Sequence, residues 1–364
     1  MNKNIKVITA NFDPFKLVIK DSNDYWSASL DEINTNSYDY EKLNEISTKI
    51  DIGLNNYSLL ICYDGTLLLP MVEEFSDPYY VLSIFNKFLT SLLLGGEYCE
   101  AILPEDLGVG LIDSNNRAMI ITGAEGKIGK FHKHIKSSLI GLVDAIRLHQ
   151  PQSLTVEQLK KSYEIGSNIL LKFNEVDSSN QLKLEQLLFG VSFYNRKQLP
   201  ESLVHFWIST ERLIEYLWNR DFKGQKDKIT QEIKQKIYEK NNPDQAYNIK
   251  WKWKWKWTAS NKIDLFEEFG YFSEELAKNL HAVRTARNNF AHDAIIPENQ
   301  IVTLSATSFF EFLSLAYSDF KENHLFDDIA KKLIGNFYSD LHLFNTQQVT
   351  YEVTGWEDLV SSSN

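Results

Sequence analysis

The spacing of hydrophobic residues changes along this chain. Within residues 1–150, short β-branched and aromatic runs lie between Asn, Asp and Gly residues, a pattern typical of strands. The strands predicted in this way cover residues 5–9, 15–19, 58–62, 66–70, 109–112 and 118–121. Asp64-Gly65 separates the third run from the fourth and suits a two-residue hairpin turn.

Two helices are predicted in the same part of the chain. Asp77-Pro78 begins the first, which continues through Leu94 to Gly95-Gly96, because Pro favours the first helical turn and Gly favours the end of a helix. The second helix covers residues 131–148. The polar segment 150–153 then marks a domain boundary.

After this boundary the apolar residues recur at helical spacing. Thr155 and Gln158 form a capping box for a helix that continues to about residue 174. Further helices are predicted over residues 181–195, from Pro200 onward, from Ser273 onward and over residues 300–320. The sequence therefore predicts an α+β protein, with a mixed α/β domain at 1–150, an all-helical domain at 151–325 that has an insertion near 220–262, and a C-terminal extension at 326–364.

The composition excludes several classes of protein. Of 364 residues, 43% are hydrophobic, which is enough for a core and too many for a globally disordered chain. The formal net charge of −11 argues against nonspecific coating of nucleic acid but allows a local basic stripe. Cys62 and Cys99 cannot form a disulfide framework, and we expect no signal peptide or membrane span, so the sequence indicates a cytoplasmic protein. No metal site or cofactor is expected, since neither a zinc-type cluster nor a phosphate-binding glycine loop is found.

Residues 250–257 read KWKWKWKW, which in an extended strand puts every lysine on one face and every tryptophan on the other. Aromatic side chains interleaved with cations can bind single-stranded nucleic acid by stacking and phosphate attraction. Two alternatives stay open. The segment could be a short amphipathic strand with buried tryptophans, or a recent repeat expansion with little function.

The candidate chemistry lies in the motif RNNFAH, residues 287–292, near the end of a predicted helix. Helical spacing puts Asn288 and His292 on one side with Arg284 a turn earlier, whereas Arg287 lies about 140° round the helix from His292. A fixed cation, an amide and an imidazole suit chemistry on a phosphodiester. The opposite side of the helix, expected in the core, carries Val283, Ala286 and Phe290.

This motif and its surroundings resemble the HEPN superfamily (higher eukaryotes and prokaryotes nucleotide-binding), whose helical domains carry Arg-x4-His with Asn directly after the Arg. The aromatic helix PESLVHFWISTERLIEYLW precedes the motif, as does the helix with a central Glu in the Apea-like HEPN group, and a long hydrophobic helix follows. The resemblance covers roughly residues 155–325. It implies a metal-independent endoribonuclease, commonly a toxin or an anti-phage defence effector, that forms a homodimer with one composite site. By position, Arg287 and His292 are then the catalytic pair and Asn288 the supporting residue.

The chemistry can also be argued from the residues themselves. RNA carries its own nucleophile, the 2′-OH, so no metal is needed. His292 could act as general base or general acid, and Arg287 would neutralise the charge of a phosphorane-like transition state. Asn288 could fix the imidazole tautomer or hold a phosphate oxygen, and Arg284 is expected to bind an RNA phosphate or to form an ion pair. Cutting would leave a 2′,3′-cyclic phosphate and a 5′-OH.

We therefore expect RNA as the substrate, with tRNA among the candidates, and a regulatory partner or ligand at the N-terminal domain. The alternative is a catalytically silent HEPN-like module that binds RNA, a nucleotide or a partner protein. A further alternative is a regulatory scaffold whose helices serve only for dimerisation. Outside the motif, Glu211 either orients Arg287 or lies at the surface, and His205 and His281 are expected to be structural.

Overall fold

The structure is a computed structural model that describes residues 5–12, 16–26, 30–35, 37–54, 56–122, 152–176, 185–223, 229–241 and 257–316. Its N-terminal part contains the strands β1 (Ile5–Asn11), β2 (Lys16–Ile19), β3 (Ile46–Leu54), β4 (Tyr57–Cys62), β5 (Thr66–Pro70), β6 (Gly108–Ile112) and β7 (Ala118–Thr122). Six of them form one sheet in the order β3-β4-β5-β1-β6-β7, with every neighbouring pair antiparallel. The strands predicted from the sequence are confirmed.

Among the described N-terminal residues, one strand and two α-helices were not predicted. They are β3 and the short helices α1 (Leu30–Thr35) and α2 (Tyr40–Leu43). The second half of β3 does carry a strand signal, because Ile50, Ile52 and Leu54 alternate with Lys49, Asp51 and Gly53, and the prediction missed it. Helix α2 depends on one local cap, in which the Asp39 carboxylate accepts hydrogen bonds from the backbone N–H groups of residues 41 and 42.

The β4–β5 hairpin has the predicted Asp64-Gly65 turn. Gly65 has φ +77°, a conformation that glycine adopts without a steric cost. The Asp64 carboxylate accepts hydrogen bonds from the Thr66 backbone N–H at 3.0 Å and from its hydroxyl at 2.6 Å. Both residues are buried, so these local bonds satisfy the carboxylate inside the fold.

Helix α3 (Pro78–Leu94) begins and ends where the sequence predicts. The Asp77 side chain accepts a hydrogen bond from the Tyr79 backbone N–H at 2.9 Å, and Gly95 follows the last helical residue. Most of its second half is buried, including Phe88, Leu92 and Leu93. This helix joins the sheet to the rest of the molecule.

Strand β8 (Gln152–Thr155) lies at the predicted boundary and pairs in parallel with β2, so that Leu17 is opposite Ser153. The next helix, α4 (Val156–Val176), packs against α3. Its capping box is confirmed: the Thr155 backbone N–H donates to Gln158 Oε1 at 2.9 Å, and the Gln158 N–H donates to Thr155 Oγ1 at 3.2 Å. One apolar cluster contains side chains from both sides of the boundary.

The remaining helices form the C-terminal part. They are α5 (Glu185–Asn195), α6 (Leu199–Asp221), α7 (Gln231–Asn241), α8 (Ala259–Glu268), α9 (Glu274–Asp293) and α10 (Asn299–Ala316). Helix α6 is central, because it packs against α4, α5, α8, α9 and α10. Its Phe206 and Trp207 are fully buried. The chain is thus α+β overall, with a sheet in its N-terminal part and helices in its C-terminal part.

The predicted helix at 131–148, the first positions of the helix predicted at 181–195, the last positions of the helix predicted at 300–320 and the C-terminal extension lie outside the described residues. Across the described ranges, no helix combines the length and the apolar character needed to cross a membrane.

Candidate functional site

Helix α9 positions the motif. The Ser273 hydroxyl caps its start by accepting a hydrogen bond from the Leu276 backbone N–H at 3.1 Å. Leu276, Ala277, Leu280 and Val283 are buried and anchor its first half in the core. From Arg284 to Ile296, in contrast, every residue is partly or fully exposed. The motif therefore lies on an anchored helix but at the surface end of the helical bundle.

The core side of the motif was predicted only in part. Val283 is 1% exposed, which confirms its place in the core, and Ala286 is half-buried and packs against the core. The prediction for Phe290 is wrong, because this residue is partly exposed. It lies one turn from the end of α9, in the segment that has already left the buried part of the bundle.

Arg287 and Asn288 contact each other directly. Arg287 Nη1 donates a hydrogen bond to Asn288 Oδ1 at 3.2 Å, and both side chains are partly exposed. Among the described residues, Arg287 has no ion pair with a carboxylate, and Glu211 does not contact it within ion-pair distance. The arginine is therefore held in place by an amide that leaves its positive charge unneutralised.

His292 is exposed on the last turn of α9. It lies five residues after Arg287, which corresponds to about 7.5 Å along the helix axis and about 140° round it. Within the described ranges, its imidazole has no hydrogen-bond partner. The helix ends at Ala294, whose φ of +54° is left-handed and whose N–H donates to the Phe290 carbonyl oxygen at 3.0 Å.

Arg284, predicted to contact RNA or to form an ion pair, is partly exposed. Its Nε is buried and has no hydrogen-bond partner, and no carboxylate among the described residues forms an ion pair with it. The described residues therefore supply no partner for the ion-pair alternative, and the RNA contact of Arg284 stays a prediction.

His281 lies in the first half of α9 and contacts Asp264, a carboxylate that also pairs with Lys240 and that the sequence did not indicate. Its Nε2 is 3.1 Å from Asp264 Oδ1, and Lys240 Nζ is 3.3 Å from the same oxygen. The Asp264 side chain is only 2% exposed, so this carboxylate is buried between helices α7, α8 and α9. No sequence signal pairs these residues, because each comes from a different helix.

His205 has surroundings that agree with a structural role. Its Nδ1 is 2.6 Å from Gln186 Oε1, and its ring stacks on Phe193 with a centroid distance of 5.1 Å. Burial lowers the pKa of His205, although the nearby Glu201 carboxylate acts in the opposite direction.

Only the last residue of the Lys/Trp repeat is described. Trp257 packs against Trp218 of α6 with a centroid distance of 4.7 Å, and Lys262 Nζ lies 5.2 Å from the Trp218 ring. Lys262 is buried and forms an ion pair with Glu215. Residues 250–256 lie outside the described residues, so their RNA contact stays a prediction.

Within the described ranges, no group of three or more His, Cys, Asp and Glu side chains is placed to hold a metal ion. A scan of the chain against models of protein families found no match, and neither did the searches of curated proteins and of solved structures.

Proposed function

We propose that this chain is a metal-independent endoribonuclease that cuts RNA through attack of the 2′-OH, with Arg287, Asn288 and His292 at the cutting site. One observation carries the proposal. Arg287 and Asn288 contact each other at the exposed end of α9, one to two turns before the exposed His292, and Arg287 has no carboxylate partner among the described residues. In a chain with a net charge of −11, an unneutralised arginine of this kind favours an anionic ligand.

The reaction needs two proton transfers. A base removes the proton of the 2′-OH, the 2′ oxygen bonds to phosphorus, and the bond from phosphorus to the 5′ oxygen breaks as an acid protonates that oxygen. Arg287 neutralises the charge that develops on the phosphoryl oxygens, and Asn288 holds its guanidinium in place. His292 performs one of the two transfers. The products are a 2′,3′-cyclic phosphate and a 5′-OH.

A homodimer supplies the second proton-transfer group. Each chain brings one motif histidine, and Arg287 and His292 diverge by about 140° on the helix, so two motifs facing each other across a two-fold axis complete one site. Exposed apolar residues beside the motif support this arrangement. Ile295 is 55% exposed and Ile296 is 73% exposed, directly after the end of α9.

We place this activity in a cytoplasmic toxin or anti-phage defence effector, in line with the HEPN resemblance. RNA is the substrate, with tRNA among the candidates, and the N-terminal part receives a regulatory partner or ligand. The packing of α3 against α4 supports a regulatory role, because it connects the sheet to the helical part through a shared core.

The test is cleavage of total RNA and of tRNA by the purified protein in the presence of EDTA. His292→Ala should slow cleavage by a factor of about 10²–10⁴, and Arg287→Ala should slow it similarly. Arg117→Ala, in the loop between β6 and β7, is the matched control and should cut normally. Cleavage that needs a metal, or that survives both motif substitutions, would refute the proposal.

One observation favours the silent module as a second candidate. Among the described residues, nothing orients the His292 imidazole, whereas a catalytic histidine is usually held by a hydrogen bond. A silent module would bind RNA, a nucleotide or a partner protein without cutting. Toxicity in cells that His292→Ala does not change would favour this candidate over the nuclease.

A further inference from the structure

Arg284 is a partly buried cation whose charge the described residues leave uncompensated. Its Nε is enclosed by the protein and bonds to no acceptor, while the residue as a whole is only partly exposed. A buried donor without a partner is unfavourable, and native proteins contain few of them. Because Nε is enclosed, packing fixes this end of the guanidinium, and the Nη nitrogens are held in a defined place.

A shortage of acidic residues does not explain this. The chain has 49 Asp and Glu residues against 38 Lys and Arg residues. Cations on neighbouring helices do have carboxylate partners: Lys240 Nζ lies 2.6 Å from Glu267 Oε2, and Arg220 Nη2 lies 2.7 Å from Asp221 Oδ2. The fold could have placed a carboxylate against Arg284 in the same way. Its absence from the described residues points to an anion supplied by a ligand.

The position of Arg284 relates it to the candidate cutting site. It precedes His292 by eight residues, which is about 12 Å along α9, and Asn288 lies one turn from each. This separation exceeds the size of a single phosphate group. Arg287 lies between Arg284 and His292 along the axis, about 4.5 Å from Arg284, so an anion held by Arg284 lies on the side of Arg287 away from His292.

His281 extends the same stripe beyond Arg284. It lies about 16 Å from His292 along the axis and only about 20° round the helix from it. The buried Asp264 carboxylate holds its Nε2 and so fixes the ring, while its Nδ1 has no partner among the described residues. This side of α9 thus extends from the exposed imidazole of His292 to the imidazole of His281, which Asp264 holds in a fixed orientation.

We propose that Arg284 forms a second phosphate-binding subsite that holds a phosphate flanking the one that is cut. This inference rests on the proposed function. A phosphate forms charge-assisted hydrogen bonds with Arg284 and compensates its charge. An RNA strand that lies along α9 reaches both Arg284 and the cutting site. The substrate is therefore a strand long enough to carry a phosphate beyond the scissile one, and a dinucleotide fills only half of the site.

Binding of a 2′-O-methyl RNA tests the subsite, because this RNA lacks the nucleophilic hydroxyl and is not cut. We would measure the fluorescence anisotropy of a labelled oligomer of about eight nucleotides, and of a dinucleotide, over a series of salt concentrations. Arg284→Gln should weaken binding of the oligomer roughly 10- to 100-fold and reduce the slope of log K against log salt by about 0.7. The dinucleotide should bind the native and Arg284→Gln proteins alike.

Two further variants serve as controls for the Arg284→Gln result. Arg117→Gln removes the same charge from the β6–β7 loop and should change neither the affinity nor the salt slope. Arg284→Lys keeps the charge, so it should recover the salt slope but only part of the affinity. Recovery by lysine separates a lost phosphate contact from a misfolded helix.

The outcomes distinguish the subsite from the nuclease. If Arg284→Gln binds the oligomer as tightly as the native protein, or if the native protein does not bind it, the subsite is refuted. RNA cleavage whose KM is unchanged by Arg284→Gln refutes the subsite alone. Binding that depends on Arg284, in a protein that cuts no RNA, refutes the nuclease and supports only the phosphate-binding role of Arg284.

Discussion

Gly166→Ala should disrupt the contact between α3 and α4, where two helix backbones meet without a side chain between them. A Cβ at residue 166 would lie 2.6 Å from the Ser91 carbonyl carbon and 2.9 Å from its Cα, and it would overlap the carbonyl oxygen. The contact is reciprocal, since a Cβ at Gly95 would lie 2.8 Å from Ser162 Cα. Neither clash can be relieved by rotating a side chain.

The expected magnitude follows from two opposing effects. Overpacking a tight interior contact costs about 1–3 kcal/mol, and the upper end applies here because the obstacle is backbone. Alanine favours the helix over glycine by about 1 kcal/mol, which offsets part of this cost. We therefore expect Gly166→Ala to lower the free energy of unfolding by about 2 kcal/mol.

Urea denaturation followed by tryptophan fluorescence measures this change. The matched control is Gly190→Ala, also within a helix, where the added Cβ would lie 3.1 Å from the Phe206 side chain and would not overlap backbone atoms. This control should change the free energy of unfolding by less than about 1 kcal/mol. Equal stability of the Gly166→Ala and Gly190→Ala proteins would show that α3 and α4 do not approach each other as closely as described.

Two further predictions concern the buried amide of Asn86 and the half-buried imidazole of His205. The Asn86 side chain donates a hydrogen bond to the Ile102 carbonyl oxygen at 3.0 Å and accepts one from the Ile102 N–H at 2.8 Å. Asn86→Ala leaves both backbone groups unpaired, so it should lower the free energy of unfolding by about 2–3 kcal/mol in urea denaturation. Burial lowers the pKa of His205 in spite of Glu201, so the unfolded chain takes up a proton that the folded chain does not. The free energy of unfolding should therefore fall as the pH drops below about 6.5, and His205→Gln should flatten this part of the profile in denaturation series between about pH 7.5 and about pH 5.5.

Each of these two predictions has a clear contrary result. An Asn86→Ala protein as stable as the native one would mean that its side chain does not bridge α3 to the Ile102 backbone. A pH profile of the His205→Gln protein that is parallel to the native profile would mean that another group takes up the proton.

The elements that could be predicted from the sequence are those whose ends are marked by capping or terminating residues only a few positions away. The Asp77-Pro78 start and Gly95 end of α3, and the Thr155 cap of α4, involve residues within one helical turn of each other. These capping contacts form wherever the helix forms, so the local sequence is sufficient to predict where the helix begins and ends. Strand β3 was missed although Ile50, Ile52 and Leu54 alternate with Lys49, Asp51 and Gly53, which is itself a local strand signal.

At the candidate site, too, some features follow from the local sequence and others depend on the packing of the helices. Helical spacing alone places Asn288 and His292 on one side of α9 and Arg287 apart from them. Whether these side chains are buried depends on where α9 leaves the bundle, and for Phe290 periodicity predicted burial where the structure leaves the residue partly exposed. The contact of His281 with Asp264 could not be predicted, because it joins two helices whose packing the sequence does not specify locally.

The sequence by itself determined the α+β class, the limits of the capped helices and the order of polar residues along α9. Only the tertiary structure decided that β8 pairs with β2, that α3 and α4 touch through Gly95 and Gly166, and that Arg284 lacks a carboxylate partner among the described residues. The physical reason is the range of the interactions. Caps, turns and helical periodicity act between near neighbours, whereas strand pairing, close helix packing and charge compensation join residues that are far apart in the chain and meet only when the core forms.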